Sequence, residues 1–230
     1  MDEICNVLLE QISYNVIDES AYIEYSAGLQ KPYRTSRNDF MNRRYSVSTY
    51  RAIDLTLFAV ILFVFESVII RVSSSPVFRD QAFTVSLAAA ITSIVFMRWG
   101  YWGGIHAALA GLVLCVLNGG SLSQLAIYVI GNLFSLGVVP FIRKAGPEKM
   151  LHSKSLYLLT GLGVWLLMQF GRSLISLILG SGWAEALRFF TTDSLSAVFT
   201  LVILWIAHRL DGICEDQLHY LKRVNRETDE

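Results

Sequence analysis

The side chains that could do chemistry lie inside apolar segments of the chain. Tyr128 and Asn132 are four residues apart and Gln169 and Arg172 are three apart, so each pair lies on one face of a helix. Polar groups inside hydrocarbon are energetically expensive, and they therefore usually face a partner or a ligand. An arginine can bond both oxygens of a carboxylate or phosphate, and a tyrosine ring can stack on a flat molecule. The pattern predicts a binding site for a charged or hydrogen-bonding small molecule.

The depth of these residues points to a common location. At a rise of about 1.5 Å per residue, Glu66 lies roughly 9 Å below the outer end of its own apolar segment. Arg172 lies roughly 11 Å below the outer end of a different apolar segment. Asp193 lies near the outer end of the last apolar segment. Glu66 and Arg172 could neutralise one another, or either could bind a charged substrate. Asn132 could face the ligand or bond a neighbouring helix.

Catalysis is not expected. Gly180-Ser181-Gly182 and His208 resemble the nucleophile and base of an intramembrane protease. They fall at opposite ends of their segments, separated by about 30 Å of bilayer, which is too far for an activating hydrogen bond. No phosphate-binding Gly-rich loop with Lys-Ser/Thr occurs, and the net charge of 0 gives no reason to expect nucleic acid as a partner. We expect no enzyme activity, no metal and no cofactor.

The elements that must position these residues are membrane spans. The chain has 230 residues, of which 53% are hydrophobic and only 17% charged, and its apolar residues come in blocks near the length that crosses a bilayer. The blocks predict six spans, over 52–72, 82–97, 101–117, 122–142, 156–179 and 191–207. A cytosolic extension over 1–51, a membrane domain over 52–210 and a charged cytosolic tail over 211–230 complete the prediction.

The basic residues predict the orientation. With the amino terminus in the cytoplasm, 15 of the 19 Lys and Arg residues lie on the cytoplasmic side, as the positive-inside rule expects. The predicted fold is an all-α integral membrane protein, a six-helix bundle with both termini cytoplasmic. Asp54, close to the cytoplasmic start of span 1, could extend its carboxylate to the membrane surface or contact a partner, and the first interpretation is favoured.

Two motifs and the architecture resemble a known family. The motifs are Trp99-Gly-Tyr-Trp-Gly-Gly-Ile-His106 and Leu117-Asn-Gly-Gly-Ser121. With six spans and cytosolic ends, the region from about 50 to 210 resembles the S component of an energy-coupling factor (ECF) transporter, the vitamin-capturing subunit of bacterial uptake systems. The resemblance implies a ligand site in the outer parts of spans 4, 5 and 6, at Asn118, Tyr128, Asn132, Gln169, Arg172, Trp183 and Asp193.

The same resemblance implies partners in the bacterial cell membrane. A membrane coupling subunit and two cytosolic ATPases would drive release of the vitamin-like substrate into the cell. The family contacts its coupling subunit through small residues four apart in span 1, and the matching positions here are Ala52 and Thr56, followed by Ala59. Thr56 departs from the family's alanine. The alternative interpretation is a non-catalytic structural scaffold of the membrane, of the cell-wall elongation type.

Overall fold

The regular secondary structure of the described residues is entirely helical. The computed structural model describes residues 47–73, 84–210, 216–217 and 220, except for the side chains of 147, 148 and 151. The helices are α1 (Val47–Ser73), α2 (Ala88–Trp99), α3 (Gly103–Leu117), α4 (Leu122–Leu133), α5 (Val139–Ala145), α6 (Pro147–His152), α7 (Lys154–Ile178), α8 (Trp183–Thr192) and α9 (Ser194–Ala207). This confirms the all-α prediction for these residues. Residues 1–46 of the predicted extension and most of the predicted tail lie outside them.

Five helical stretches are long and apolar enough to cross a membrane. They are Val47–Ser73, Ala88–Leu117, Leu122–Ala145, Lys154–Ile178 and Trp183–Ala207. The sequence predicts six spans, and the difference arises because span 3 and residues 88–97 of span 2 fall in the single stretch Ala88–Leu117. Residues 82 and 83 of predicted span 2 lie outside the described residues. Predicted span 6 begins at 191, whereas the helical stretch already begins at Trp183. Glu185 and Arg188 lower the hydropathy of the α8 segment, so the sequence pattern does not reveal it.

The stretch Ala88–Leu117 reverses direction in its middle. Gly100 ends α2 with φ +57°, a conformation that glycine adopts readily, and a 3-10 turn leads into α3. Ala88 of α2 and Ala110 of α3 pack in one cluster with Leu62 of α1. In a straight helix those two alanines would be about 33 Å apart. The two helices therefore lie side by side as an antiparallel hairpin.

The stretch Leu122–Ala145 is not a regular α-helix throughout. A 3-10 segment over Phe134–Val138 separates α4 from α5. Pro140 follows at the start of α5, where it has no N–H to donate and its ring conflicts with the carbonyl four residues earlier. The tighter local winding is the expected response to the proline.

Helix α7 is the centre of the bundle. It packs against α4, α8, α9 and α2, and its residues Val164, Trp165 and Met168 belong to the largest apolar core cluster. Helix α1 instead packs only against α2 and α3 among the elements in substantial contact. Its remaining face is exposed and apolar, through Ile53, Leu57, Val60, Val64 and Val68. An exposed face of this kind is suited to lipid.

The two ends of the bundle differ in charge. We define the basic end by Arg51, Arg143, Lys144, Lys154 and Arg209, which lie where α1 and α7 begin and where α5 and α9 end. Three of these arginines stack on aromatic rings, as Arg51 does on Trp102 at 4.5 Å. The opposite end carries only Arg71 and Arg188 among the described basic residues. Aromatic rings beside cations are typical of membrane boundaries.

Candidate functional site

A buried ion pair lies toward the opposite end of the bundle. Nη1 of Arg172, on α7, is 3.2 Å from Oδ2 of Asp193. Asp193 occupies the single residue between α8 and α9, and this break in the helix lets its carboxylate turn inward. Trp165 holds the junction by donating its indole N–H to the Asp193 carbonyl oxygen at 3.1 Å. Both charged residues are at most 6% exposed, so their charges are neutralised inside the protein.

Two amide side chains complete the surroundings of Arg172. Its Nε donates to Oδ1 of Asn132 at 2.8 Å, and its Nη1 donates to Oε1 of Gln169 at 3.3 Å. Gln169 in turn donates from Nε2 to the carboxylate of Asp193. Asn132 donates from Nδ2 to the carbonyl oxygen of Ala107 at 3.0 Å, which ties α4 to α3. The guanidinium is therefore held by three polar side chains from α4, α7 and the α8–α9 junction.

A close approach of two helices makes these contacts possible. A Cβ atom at Gly131 would lie only 2.6 Å from the backbone nitrogen of Arg172, and one at Gly171 would overlap the carbonyl oxygen of Gly131. Small residues allow transmembrane helices to pack backbone to backbone. Gly131 and Gly171 thus bring α4 and α7 close enough for Arg172 to reach Asn132.

An aromatic pair covers one side of the guanidinium. The ring centroid of Tyr128 lies 4.9 Å from Cζ of Arg172, within the range of a cation–π interaction. The same ring meets Phe189 of α8 edge to face, with 6.0 Å between centroids. Tyr128 and Phe189 therefore form a side of the site that α8 closes.

Glu66 joins the network from α1. Its Oε1 accepts the hydroxyl of Ser86 at 2.7 Å and the backbone N–H of Leu87 at 2.8 Å, so it satisfies a donor just before α2 begins. The backbone N–H of Ser86 donates to Oγ of Ser196, and Ser196 donates to Asp193. A continuous set of hydrogen bonds therefore runs from Glu66 to Asn132 and joins α1, α2, α9, α7 and α4. We call it the polar network.

The direct Glu66–Arg172 pair that the sequence suggests does not form. Arg172 pairs with Asp193, and Glu66 is held by Ser86 and Leu87. Oε2 of Glu66 is buried and has no hydrogen-bond partner in the described part of the chain. The network contains two carboxylates and one guanidinium, so it holds one more acidic than basic group.

The structure brings six of the eight predicted ligand residues together and leaves two apart. Glu66, Tyr128, Asn132, Gln169, Arg172 and Asp193 form the polar network and its aromatic cover. Asn118 is exposed at the end of α3, where its side chain bonds the carbonyl oxygen of Leu114. Trp183 is 75% exposed at the start of α8. Neither contacts the network, because each lies at a helix terminus beyond it.

The predicted partner-binding residues lie on the outside of α1. Ala52 and Thr56 are exposed, and Ala59 is half-buried. Asp54, predicted to reach the membrane surface, is buried instead: it accepts Nε and Nη2 of Arg98 at 2.8 and 2.7 Å and Nε1 of Trp99 at 2.6 Å. The prediction for Asp54 was wrong because Arg98 was assigned to a loop, although it lies in α2 at the same depth. The sequence signal that could have predicted this pair is the presence of opposite charges at equal depth on two consecutive antiparallel spans.

Comparison with known proteins found no match for this chain, whether among family models, curated proteins or solved structures.

Proposed function

We propose that this protein is the substrate-binding membrane subunit of an ECF-type importer, which captures a vitamin or cofactor precursor. The polar network is the observation that supports this proposal. Ionisable side chains within a membrane domain usually mark a binding site or transport pathway because burying them is costly. Here Arg172 of α7, Asp193 of the α8–α9 junction and Glu66 of α1 join one hydrogen-bonded network.

The proposed topology has six crossings in a bacterial cell membrane. The α2–α3 hairpin supplies two crossings, and the other four helical stretches supply one each. Helices of 12 and 15 residues extend only about 18 and 22 Å, so the hairpin would need a locally thinned bilayer or polar flanks. The basic end would face the cytoplasm by the positive-inside rule, which places both termini there and the polar network in the outer half.

The geometry narrows the chemistry of the substrate. Arg172 is already paired with Asp193 and Asn132, so it offers no unneutralised charge to an acid. Oε2 of Glu66 is the acceptor that lacks a donor within the described residues. The ring of Tyr128 offers a face for stacking once Phe189 moves. A flat heterocycle bearing N–H donors, rather than a carboxylate, matches these groups.

Substrate entry requires the network to open. Glu66, Asn132, Gln169, Arg172 and Asp193 are each at most 6% exposed. Helix α8 is the element to move, because it is short, its outer face is exposed, and its Phe189 covers Tyr128. Release would then use a membrane coupling subunit docked on α1 at Ala52, Thr56 and Ala59, driven by two cytosolic ATPases.

A structural scaffold is the second candidate function. The observation that favours it is the closed state of the polar network, in which Arg172 and Asp193 satisfy one another. A network of this kind can fix the register of five helices without binding anything. A scaffold would bind no vitamin and would co-purify with cell-wall synthesis proteins rather than with ATPases.

Native mass spectrometry of the full chain in mild detergent tests the proposal, with a screen of vitamins and their precursors by thermal shift. The variant is Tyr128→Ala, which removes the stacking ring and leaves the ion pair intact. Its matched control is Tyr101→Ala, since Tyr101 stacks on Arg143 at 4.6 Å at the basic end. We expect a bound small molecule whose affinity falls about tenfold or more in Tyr128→Ala and is unchanged in Tyr101→Ala.

The absence of any bound molecule, both from cells and across the screen, would refute the importer proposal. Equal weakening by both tyrosine variants would refute the placement of the site. Pull-down of the wild-type chain then distinguishes the two candidate functions, because an importer subunit should capture ATPases and a scaffold should capture cell-wall synthesis proteins.

A further inference from the structure

A second site lies at the basic end, between the start of α7 and the end of α9. A shallow pocket there has a cavity volume of only about 10 Å³, which is room for about one water molecule, and it is open to the surface. Its lining residues are Lys154, Tyr157, Leu158, Trp205, His208 and Arg209. Ligand sites for drug-sized molecules have volumes of about 300–1,000 Å³. The pocket is therefore too small to enclose a vitamin, and a charged group could contact its lining residues only from the open side.

The pocket offers several donors for an anion. Neither Lys154 nor Arg209 forms an ion pair with a described carboxylate. The guanidinium of Arg209 lies 4.0 Å from the ring centroid of Trp205, which holds its plane in a defined orientation. Nε2 of His208 is buried and has no hydrogen-bond partner among the described residues, so it can donate to a ligand.

The backbone adds to the positive potential. Lys154 is the first residue of the 25-residue helix α7, whose amino terminus carries the positive end of the helix dipole. The Ser153 hydroxyl accepts the Leu156 N–H at 3.4 Å, which leaves the N–H groups before Leu156 without an intrahelical partner. Phosphate groups bind readily at such positions. The helix terminus, the two cations and the His208 donor all act at the same place.

The side of the pocket that faces lipid is apolar. Trp205 is 45% exposed, and Leu158 lines the same opening. A ligand that fits both parts has an anionic phosphate joined to a hydrocarbon chain. We infer that this pocket binds the headgroup phosphate of an anionic phospholipid in the leaflet at the basic end. The acyl chain would lie along Trp205 and Leu158.

The experiment is native mass spectrometry of the full chain with added phosphatidylglycerol or phosphatidylcholine. The variant is Lys154→Gln/Arg209→Gln, and the control is Arg143→Gln/Lys144→Gln, which removes two exposed charges at the same end but outside the pocket. We expect retained phosphatidylglycerol to fall about tenfold or more in the variant and to change less than about twofold in the control. Phosphatidylcholine should be retained weakly by all three proteins.

Three results would overturn the inference. Equal losses in variant and control would show diffuse electrostatic attraction, and equal retention of both lipids would show no recognition of charge. Displacement of phosphatidylglycerol by glycerol 3-phosphate would assign the pocket to a soluble phosphate ester. Gel filtration checks that the double variant is folded. If it is not, the single variant Lys154→Gln is used in its place, and its retained phosphatidylglycerol is expected to fall about threefold. None of these readouts depends on the vitamin site.

Discussion

Replacing Gly171 by alanine should separate α4 from α7 and disrupt the polar network. The new methyl group would overlap the carbonyl oxygen of Gly131 and lie 2.9 Å from its carbonyl carbon. Non-bonded carbon atoms prefer about 3.5–4.0 Å. The Phe134 side chain, whose Cγ would lie 2.8 Å from the methyl group, can shift, but the Gly131 carbonyl group is backbone and cannot rotate away. The two backbones must therefore move apart by about 1 Å.

The magnitude follows from three contributions. Overpacking costs about 1–3 kcal/mol, and stretching the 2.8 Å bond between Arg172 and Asn132 costs about 1.5–3 kcal/mol. The better helix propensity of alanine returns about 0.5–1 kcal/mol. We expect Gly171→Ala to lower the free energy of unfolding by about 1.5–5.5 kcal/mol.

Gly163→Ala is the matched control in the same helix. Its methyl group would meet only the Val138 side chain, with the nearest atom at 3.3 Å, a distance that a small side-chain shift relieves. The expected change is about zero or slightly stabilising. Equilibrium unfolding of both variants by SDS in mixed micelles, followed by circular dichroism, measures the difference. If Gly171→Ala proved as stable as Gly163→Ala, the backbone contact between α4 and α7 would be refuted.

The remaining predictions concern the second ion pair and the hairpin. Asp54→Asn should destabilise the protein by about 3 kcal/mol or more, because it leaves Arg98 buried without its carboxylate. The control Glu185→Gln, at an exposed residue, should change the free energy of unfolding by less than about 0.5 kcal/mol. Equal effects of the two substitutions in SDS unfolding would contradict the buried ion pair. Cysteines at Thr84 and Asn118, in a background without native cysteines, should react with a membrane-impermeant maleimide from the same side, and a cysteine at Trp102 from the other side. Labelling of the first two from opposite sides would mean that Ala88–Leu117 crosses the membrane once.

Local sequence patterns were sufficient for part of the fold. Apolar blocks predict α1, α4 with α5, and α7 to within a few residues, because the hydropathy of a segment determines whether it can lie in lipid. The same patterns miss α8, whose Glu185 and Arg188 give it the composition of a loop. They also count α2 and α3 as ordinary spans, although these helices are short and joined in a hairpin at Gly100.

The candidate site was only partly accessible to sequence reasoning. Depth along each helix predicts that Tyr128, Asn132, Gln169 and Arg172 share a level, because the helical rise is constant. It does not predict partners, since Arg172 bonds Asp193 rather than Glu66. The resemblance added Asn118 and Trp183, and both prove to be exposed.

The sequence by itself determined that the chain is helical, that several helices can cross a membrane, and which polar residues share a depth. Hydropathy and helical periodicity are properties of neighbouring residues, so they can be read along the chain. Only the tertiary structure decided which charges pair, because pairing depends on the rotation and register of helices far apart in sequence. Arg98 with Asp54 and Arg172 with Asp193 are each fixed by the close packing of separate helices, to which glycines such as Gly131 and Gly171 contribute.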